Sequence, residues 1–197
     1  MDSIDKQNIS EIPIIDLSKA PGAVEHLQRS KALTFGWKLA EILFVTNRFQ
    51  ISSRLRVKVL RLFGAKIGEN VIYRPSTRVK SPWQLEIGDR CWIGDGVWFH
   101  NRDKIVIGND VVISQESYFT TGAHAFRSDM ALVTNPIVVE SGAWVSSRCV
   151  VLGGAHIGTS SVISPMEVVK GEIPANSIIS SPPPSVVGTR FKGDENK

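Results

Sequence analysis

A six-residue period runs from Ile67 to about Pro174 and limits the folds that this chain can adopt. A large apolar residue recurs at every sixth position in five groups of three: Ile67, Tyr73 and Val79; Ile87, Ile93 and Phe99; Ile107, Ile113 and Phe119; Val139, Val145 and Val151; Ile157, Ile163 and Val169. Six residues match neither the 3.6-residue period of a helix nor the two-residue alternation of a single strand. We therefore predict a coil with three short faces and about eighteen residues per turn.

The fourth residue after each apolar one is mostly small, and we predict that it packs beside the core at a corner of the coil. These residues are Val71, Thr77, Cys91, Val97, Val111, Ser117, Ala123, Ala143, Cys149, Ala155 and Ser161. A glycine after the first apolar residue of most turns would give the corner its backbone freedom. Cys91 and Cys149 are among these inward positions, so we expect two buried thiols. Because they lie on different faces of the coil, we expect no disulfide between them.

This pattern resembles the hexapeptide-repeat proteins over roughly residues 60 to 190. The resemblance implies a left-handed parallel β-helix, in which stacked turns together supply the core. We expect an all-β-dominated fold with a short N-terminal helical segment and one protruding loop. Its parts would be an arm with capping helices over 1–66, the β-helix over 67–174 with the loop at 125–136, and a C-terminal extension over 175–197.

The positive charge belongs to the leading segment. Residues 1–66 hold 11 Lys and Arg against 6 Asp and Glu, whereas residues 67–197 hold 12 against 13. We predict an extended arm to about residue 30, and then apolar residues from Leu33 to Phe49 that could form a helix, although Lys38 and Glu41 interrupt it. Nothing resembles a nucleic-acid surface, and the first thirty residues lack the layout of a signal peptide, so we expect a cytoplasmic protein.

A second short helix is predicted from an N-cap at Ser53 to Gly64. Its apolar face would be Leu55, Val59 and Leu62, and its basic face would be Arg54, Lys58 and Arg61. The helix could cap the open first turn of the coil. Alternatively, the basic face could rest on the anionic inner face of a membrane, near lipid-linked substrates.

One turn of the coil carries an insertion that a purely structural solenoid does not need. Ile107 and Val139 are 32 residues apart, so this turn holds fourteen residues beyond eighteen. Such insertions emerge as loops on one face, often the functional one. His124 stands at an outward position where the loop begins, and histidine suits proton transfer near neutral pH. We therefore predict that His124 is a general base, in preference to the alternative that it is only an exposed corner residue.

The residues around the insertion resemble the sugar O-acetyltransferases of the hexapeptide superfamily. The stretches are Phe119-Thr-Thr-Gly-Ala-His124 and Pro136-Ile-Val-Val-Glu-Ser-Gly-Ala-Trp-Val-Ser-Ser147. They look most like the colanic-acid and capsule polysaccharide branch, which is related to galactoside and maltose acetyltransferases. In that family the matching histidine is the general base that takes a proton from a sugar hydroxyl, which then attacks the thioester of acetyl-CoA.

The same resemblance assigns further residues. Asn101 matches an asparagine that helps hold the acceptor, and Trp144 matches a tryptophan lining the site. Packing against a neighbouring subunit is the alternative for Trp144, and an ordinary turn position is the alternative for Asn101. Ser147 matches a serine whose backbone N–H lies near the thioester, where one oxyanion donor is worth about 3 kcal/mol of barrier. The donor would also contact Gly154, Ser164, Pro165 and Lys170.

The chain departs from the family pattern in two stretches of the donor site. Ser164-Pro-Met-Glu167 stands where a Gly-Ala-Gly-Ser run is usual, and Ser180-Ser-Pro-Pro-Pro184 replaces Ala-Gly-Asn-Pro-Ala. Proline lacks an N–H donor, so donor binding could be altered or weakened. A solenoid binding module that has lost its donor site is therefore an alternative function.

A further alternative is a metal-dependent hydratase resembling the β-helix carbonic anhydrases. His156 would occupy the same repeat position as His124 one turn later and could bind metal with it, although we expect no metal. The preferred hypothesis is an acetyl-CoA-dependent O-acetyltransferase of a bacterial surface polysaccharide or its lipid-linked precursor. The resemblance implies a homotrimer with its sites between adjacent coils.

Overall fold

The computed structural model describes residues 13–21, 29–185 and 187. Most of the predicted extended arm and the end of the predicted C-terminal extension lie outside the described residues. Of the arm, the described part holds a short 3-10 turn at Leu17–Lys19. Two helices follow, α1 at Lys31–Ala40, which continues as a π-helical turn at Glu41–Val45, and α2 at Ser53–Leu62.

Apart from the insertion, which forms a separate two-stranded sheet, residues 66–179 form a parallel β-solenoid with three sheets, as the six-residue period predicts. Sheet A holds β1 (Lys66–Ile67), β4 (Leu85–Ile87), β7 (Ile105–Ile107), β12 (Ile137–Val139), β15 (His156–Ile157) and β18 (Glu172–Ile173). Sheet B holds β2 (Ile72–Tyr73), β5 (Trp92–Ile93), β8 (Val112–Ile113), β13 (Trp144–Val145), β16 (Val162–Ile163) and β19 (Ile178–Ile179). Sheet C holds β3 (Arg78–Val79), β6 (Trp98–His100), β9 (Tyr118–Thr120), β14 (Val150–Leu152) and β17 (Val168–Val169).

The pairing register confirms the repeat. Ile67, Ile87, Ile107, Val139, Ile157 and Ile173 stack in one column of sheet A. All fifteen predicted core positions are at most 7% exposed. The coil core therefore contains every position that the sequence pattern specifies, and Leu85, Ile105 and Ile137 of sheet A are buried in addition.

Two details of the corners differ from the prediction. The glycines after the apolar residues are needed for close approach between turns, because a Cβ on Gly88 would lie 2.7 Å from the backbone of Gly108. Left-handed backbone at these corners is instead adopted two residues later, as at Arg90 and Asp110. Ala123 was predicted to be inward and is exposed, because the chain leaves the coil before it.

The coil also continues beyond its predicted end at 174. Strand β19 pairs with β16, and Ile179 packs against the core. The last column step, from Ile157 to Ile173, takes only sixteen residues, and this shortened turn hid the final strands from the six-residue pattern.

Glu41, which the sequence predicts as an interruption of the first helix, instead joins the helical segment to the coil. Glu41 is only 5% exposed; it accepts a hydrogen bond from Val79 N at 2.8 Å and pairs with Lys38 Nζ at 2.8 Å. The buried Trp37 donates from Nε1 to Val79 O at 2.8 Å. Both backbone groups of Val79, at the end of the first turn, are therefore bonded to the helical segment.

Helix α2 packs against β1 and β2 and so covers the open first turn, the first of its two predicted roles. Two predicted details are wrong. Ser52, not Ser53, is the N-cap and accepts from Leu55 N, because Ser53 Oγ accepts from Tyr73 N at 2.7 Å instead. The buried face of α2 also differs from the predicted face of Leu55, Val59 and Leu62.

The buried face of α2 consists of Arg56, Val57 and Leu60, while the predicted Leu62 is 80% exposed. Arg56 takes this place because its guanidinium donates to the carbonyls of Val45 and Asn47 in the preceding segment. Within the described residues, no helix is both long enough and apolar enough to span a bilayer.

Candidate functional site

The insertion forms a β-hairpin that projects from the corner between sheets C and A. Strand β10 (Gly122–His124) pairs antiparallel with β11 (Leu132–Thr134), and His124 lies directly opposite Leu132. At the root, buried Thr121 accepts hydrogen bonds at Oγ1 from Arg102 N and Asp103 N, both at 2.9 Å. The predicted loop is thus an ordered hairpin whose first strand ends at His124.

His124 is exposed at the end of β10, and its ring has one contact that fixes its chemistry. Nδ1 lies 2.8 Å from Met130 O. Because a carbonyl only accepts, Nδ1 must carry the proton, and in the neutral ring Nε2 is then the basic atom. Met130 has a positive φ of 59° within the hairpin turn, which ends the turn before β11. Among the described residues Nε2 has no hydrogen-bond partner, so the hairpin holds an imidazole with an available basic nitrogen at the protein surface.

Asn101 lies at the same corner one turn earlier, but it is fully buried. Its Oδ1 accepts from Ser81 N at 3.0 Å and its Nδ2 donates to Ser81 O at 2.7 Å. These bonds join two successive turns below the hairpin. The geometry therefore favours a positioning role over direct contact with a ligand.

The other predicted site residues divide between two corners of the coil. Gly154 and Lys170 lie at the corner of His124, where Gly154 has a φ of +86° and donates from its N–H to Pro136 O at 2.9 Å. Ser147, Ser164 and Pro165 lie at the corner between sheets B and C, on the other side of sheet C. One chain therefore does not bring the two groups together.

Trp144 extends from sheet B and is 47% exposed, with its Nε1 donating to Ser114 Oγ at 2.9 Å. The outward column that contains it is apolar over its length. Its members are Ile72, Trp92, Val112, Trp144, Val162 and Ile178. Trp98 has the same outward phase but lies on sheet C, where its ring packs 5.0 Å from that of Tyr118.

The two stretches that depart from the family pattern contact each other. The Glu167 carboxylate accepts from Ser181 N at 2.5 Å and from Ser181 Oγ at 2.6 Å, and these bonds lower the pKa of Glu167. Met166 N also donates to Ser147 O at 3.0 Å. The residues that depart from the family pattern therefore form one hydrogen-bonded surface next to Ser147, rather than two separate changes.

The ring contacts of His156 are with carboxylates rather than with His124, although the two histidines share a repeat phase. His156 lies in strand β15 of sheet A, where Nε2 is 2.8 Å from Glu140 and Nδ1 is 3.0 Å from Glu172. Both ring nitrogens are engaged by carboxylates of adjacent turns. Among residues 13–21, 29–185 and 187, no three His, Cys, Asp or Glu side chains are grouped as a metal site would require.

Sequence reasoning missed a cavity of about 560 Å³ between α1 and the coil. Its lining residues are Arg29, Lys31, Thr34, Phe35, Lys38, Lys80, Ser81, Trp83, Arg102 and Leu132. Partial burial and the charges of Arg102 and Lys38 lower the pKa of Lys80. Arg29 and Lys31 are distant in sequence from Lys80 and Arg102, so only the packing of α1 on the coil reveals the cluster.

Comparison with known proteins gives a consistent result. The chain is 37% identical over 157 residues to the putative colanic acid biosynthesis acetyltransferase WcaF of Escherichia coli (strain K12), a match that covers 79% of this chain and 86% of the relative. No protein-family model matches the chain.

Solved structures of acetyltransferases share the fold. The hexapeptide-repeat acetyltransferase VCA0836 of Vibrio cholerae O1 biovar eltor, complexed with acetyl coenzyme A, aligns with a TM-score of 0.68 at 22% identity, over 85% of this chain and 89% of that one. A maltose O-acetyltransferase from Clostridium difficile 630 aligns with a TM-score of 0.66 at 19% identity, over 84% and 91%.

Proposed function

Since the chain belongs to the hexapeptide-repeat acetyltransferase family of WcaF, we propose that it transfers an acetyl group from acetyl-CoA to a hydroxyl of a surface-polysaccharide sugar or its precursor. The observation that carries the proposal is the bond from His124 Nδ1 to Met130 O, which leaves Nε2 as the proton acceptor. A cytoplasmic location belongs to the same proposal.

His124 acts as a general base in a direct transfer. Nε2 takes the proton of the sugar hydroxyl while the hydroxyl oxygen attacks the thioester carbonyl carbon. The tetrahedral intermediate then collapses, the carbon–sulfur bond breaks, and the imidazolium gives its proton to the departing thiolate. CoA leaves as the free thiol, and His124 returns to its neutral form. Cys91 and Cys149 are buried, so neither thiol serves as a nucleophile.

The oxyanion of the intermediate is stabilised by the backbone N–H of Ser147. Among the described residues this N–H donates to no carbonyl, although neighbouring Ser146 N donates to Ile163 O at 3.0 Å. The donor extends along the corner of Ser164 and Pro165, and Gly154 and Lys170 contact it from the corner of His124. Trp144 bounds the acceptor, and Asn101 holds the turn beneath it.

The division of these residues between two corners supports a homotrimer. A neighbouring copy can place its corner of Ser147 and Trp144 against the hairpin of His124, whereas a single coil cannot. The apolar outward column of sheet B supplies a surface for this contact, since Trp92 is 57% and Ile178 is 76% exposed.

The test measures CoA release from acetyl-CoA with a panel of sugars. We expect a sugar-dependent rate that falls about 10²-fold or more in His124→Ala, as loss of a general base produces. The matched control is His156→Ala, which should keep its turnover because this imidazole is bonded to Glu140 and Glu172 on sheet A. An absence of both CoA turnover and CoA binding would instead support the solenoid binding module.

The trimer is tested by mixing subunits. His124→Ala and Trp144→Ala are each expected to be impaired alone, but a mixed trimer combines an intact hairpin with an intact neighbouring corner. Equal mixing should restore about a quarter of the sites. Failure to regain activity on refolding the mixture, with trimers present by light scattering, would contradict a site shared between subunits.

A further inference from the structure

The cavity between α1 and the coil has walls of two kinds. Lys80, Ser81, Trp83 and Arg102 form the half-buried wall on the coil, at the corner between sheets C and A. Arg29 and residues at the N-terminal end of α1 form the opposite, exposed wall. The volume of about 560 Å³ is in the range of small-molecule sites.

Among the residues that the structure describes, five cations line this cavity and no carboxylate does. Lys38 has a partner, because its Nζ is 2.8 Å from Glu41 Oε2. Lys80 and Arg102 have no carboxylate within 4.0 Å in the part of the chain that the structure describes. Burial and the neighbouring Lys80 and Arg102 also lower the pKa of His100, beside the cavity. Repelling charges held together in this way indicate an anionic ligand.

The cavity is structurally continuous with the hairpin of His124. Leu132, which lines it, lies directly across the hairpin from His124, so the two side chains share one face. A Cβ built on Gly122 would lie 3.5 Å from Arg102 Cδ, which places the Arg102 stem against strand β10. A molecule that fills the cavity is therefore next to the catalytic base.

The coil wall is also rigid. The Asn101 amide bonds to both backbone groups of Ser81, and Lys80 N donates to Phe99 O at 2.9 Å. Lys80 and Arg102 therefore project from two turns that are locked to each other. The backbone that carries these two cations therefore needs no ordering when a ligand binds, which favours affinity.

We propose that this cavity binds the phosphate or diphosphate of an activated sugar acceptor, with Lys80 and Arg102 as its principal ligands. The inference rests on the proposed acetyltransferase function, because the sugar attached to that phosphate would then meet His124 Nε2. Arginine and lysine are the side chains that recognise phosphate, arginine through paired hydrogen bonds. A nucleotide-linked sugar and a polyprenyl-linked sugar share this diphosphate.

The first experiment measures binding of inorganic pyrophosphate to the full-length protein by titration calorimetry, without acetyl-CoA. We expect Lys80→Met and Arg102→Met each to weaken binding at least tenfold, because a charge-assisted hydrogen bond is lost while the apolar stem is kept. The matched control is Lys58→Met on α2, exposed and outside the cavity, which should bind as the wild type does. Equal binding by all variants, or equal weakening by Lys58→Met, overturns the proposal.

The second experiment separates the sources of the phosphate. Acetylation rates are compared for a free sugar, nucleoside diphosphate sugars and a polyprenyl diphosphate sugar in detergent. We expect at least one diphosphate sugar to have a higher kcat/KM than the free sugar. In Arg102→Met this difference in kcat/KM should shrink at least tenfold, while the KM for acetyl-CoA stays unchanged. A raised KM for acetyl-CoA would assign the cavity to the donor and overturn the proposal.

The two proposals can fail separately. Pyrophosphate binding that depends on Lys80 and Arg102, without acetyl transfer to any acceptor, would support the anion site and count against the acetyltransferase function. Acetyl transfer that depends on His124, with pyrophosphate binding unaffected by both cavity variants, would overturn only the anion site.

Discussion

His124 Nδ1 donates to Met130 O at 2.8 Å across the turn of the hairpin. The bond joins the candidate base to the backbone of its own insertion, so the insertion presents the histidine and also sets its tautomer. At a corner without the insertion, an exposed imidazole would have no carbonyl to fix which ring nitrogen carries the proton. The fourteen extra residues therefore have a chemical consequence as well as a topological one.

The first prediction concerns this tautomer. In the neutral form we expect the proton of His124 on Nδ1 and a lone pair on Nε2, because the Met130 carbonyl can only accept. Nitrogen-15 NMR of histidine-labelled protein above pH 8 distinguishes the two tautomers, and His124→Asn identifies the resonance. A proton found on Nε2 would remove the basis for the proposed mechanism.

The second prediction concerns the root of the hairpin. A Cβ on Gly153 would lie 2.8 Å from Thr121 O and 3.0 Å from Asn135 O, the two ends of the insertion. Gly153→Ala must therefore displace the hairpin, and we expect turnover to fall at least tenfold with a melting temperature lowered by several degrees.

The matched control for this variant is Gly36→Ala in α1, where a Cβ would meet Phe63 at an ordinary 3.7 Å. It should raise stability by up to about 1 kcal/mol, the usual gain from replacing glycine within a helix. Unchanged activity in Gly153→Ala would show that the hairpin tolerates movement at its root.

The solenoid itself could be predicted because each core position repeats. The fifteen apolar residues that identify the coil are the same residues that fill it, and the register follows from their spacing. The last turn escaped prediction because it is short. The buried face of α2 was not predicted because Arg56 is buried against carbonyl acceptors at the end of the preceding helical segment, which no helical periodicity can indicate.

The candidate site was only partly predictable for a similar reason. His124 could be found from sequence because it marks where the repeat breaks, but its hydrogen bond to Met130 depends on how the turn folds back. The basic cavity joins residues of α1 to residues of two coil turns. Its charges look like ordinary surface lysines and arginines until α1 is packed on the coil.

The third prediction concerns Glu41, which joins α1 to the first turn of the coil. Glu41→Ala leaves the buried Val79 N–H without an acceptor and frees Lys38 from its partner. We expect a loss of about 2 kcal/mol in the free energy of unfolding, measured by urea denaturation. Glu41→Gln keeps an acceptor for Val79 and should lose clearly less, and equal losses would show that the charge pair with Lys38 dominates.

The fourth prediction concerns the alkaline limit of stability. Burial raises the pKa of Cys91 and of Cys149 above the ordinary thiol value of 9.0. The Cys91 Sγ donates to Gly108 O at 3.0 Å and the Cys149 Sγ donates to Ser164 O at 3.1 Å, so ionisation would remove a donor that joins two turns.

The folded state therefore holds these thiol protons more tightly than the unfolded state. Their contribution to stability is complete below the unfolded pKa and is lost as the pH rises through the folded one. We expect the free energy of unfolding to fall as the pH rises above the unfolded thiol pKa of about 8.5, and less steeply in Cys91→Ala and in Cys149→Ala than in the wild type. Urea denaturation across this range tests the sign, and slopes unchanged by both substitutions would assign the alkaline loss to other groups, such as the buried Tyr73, whose pKa burial also raises.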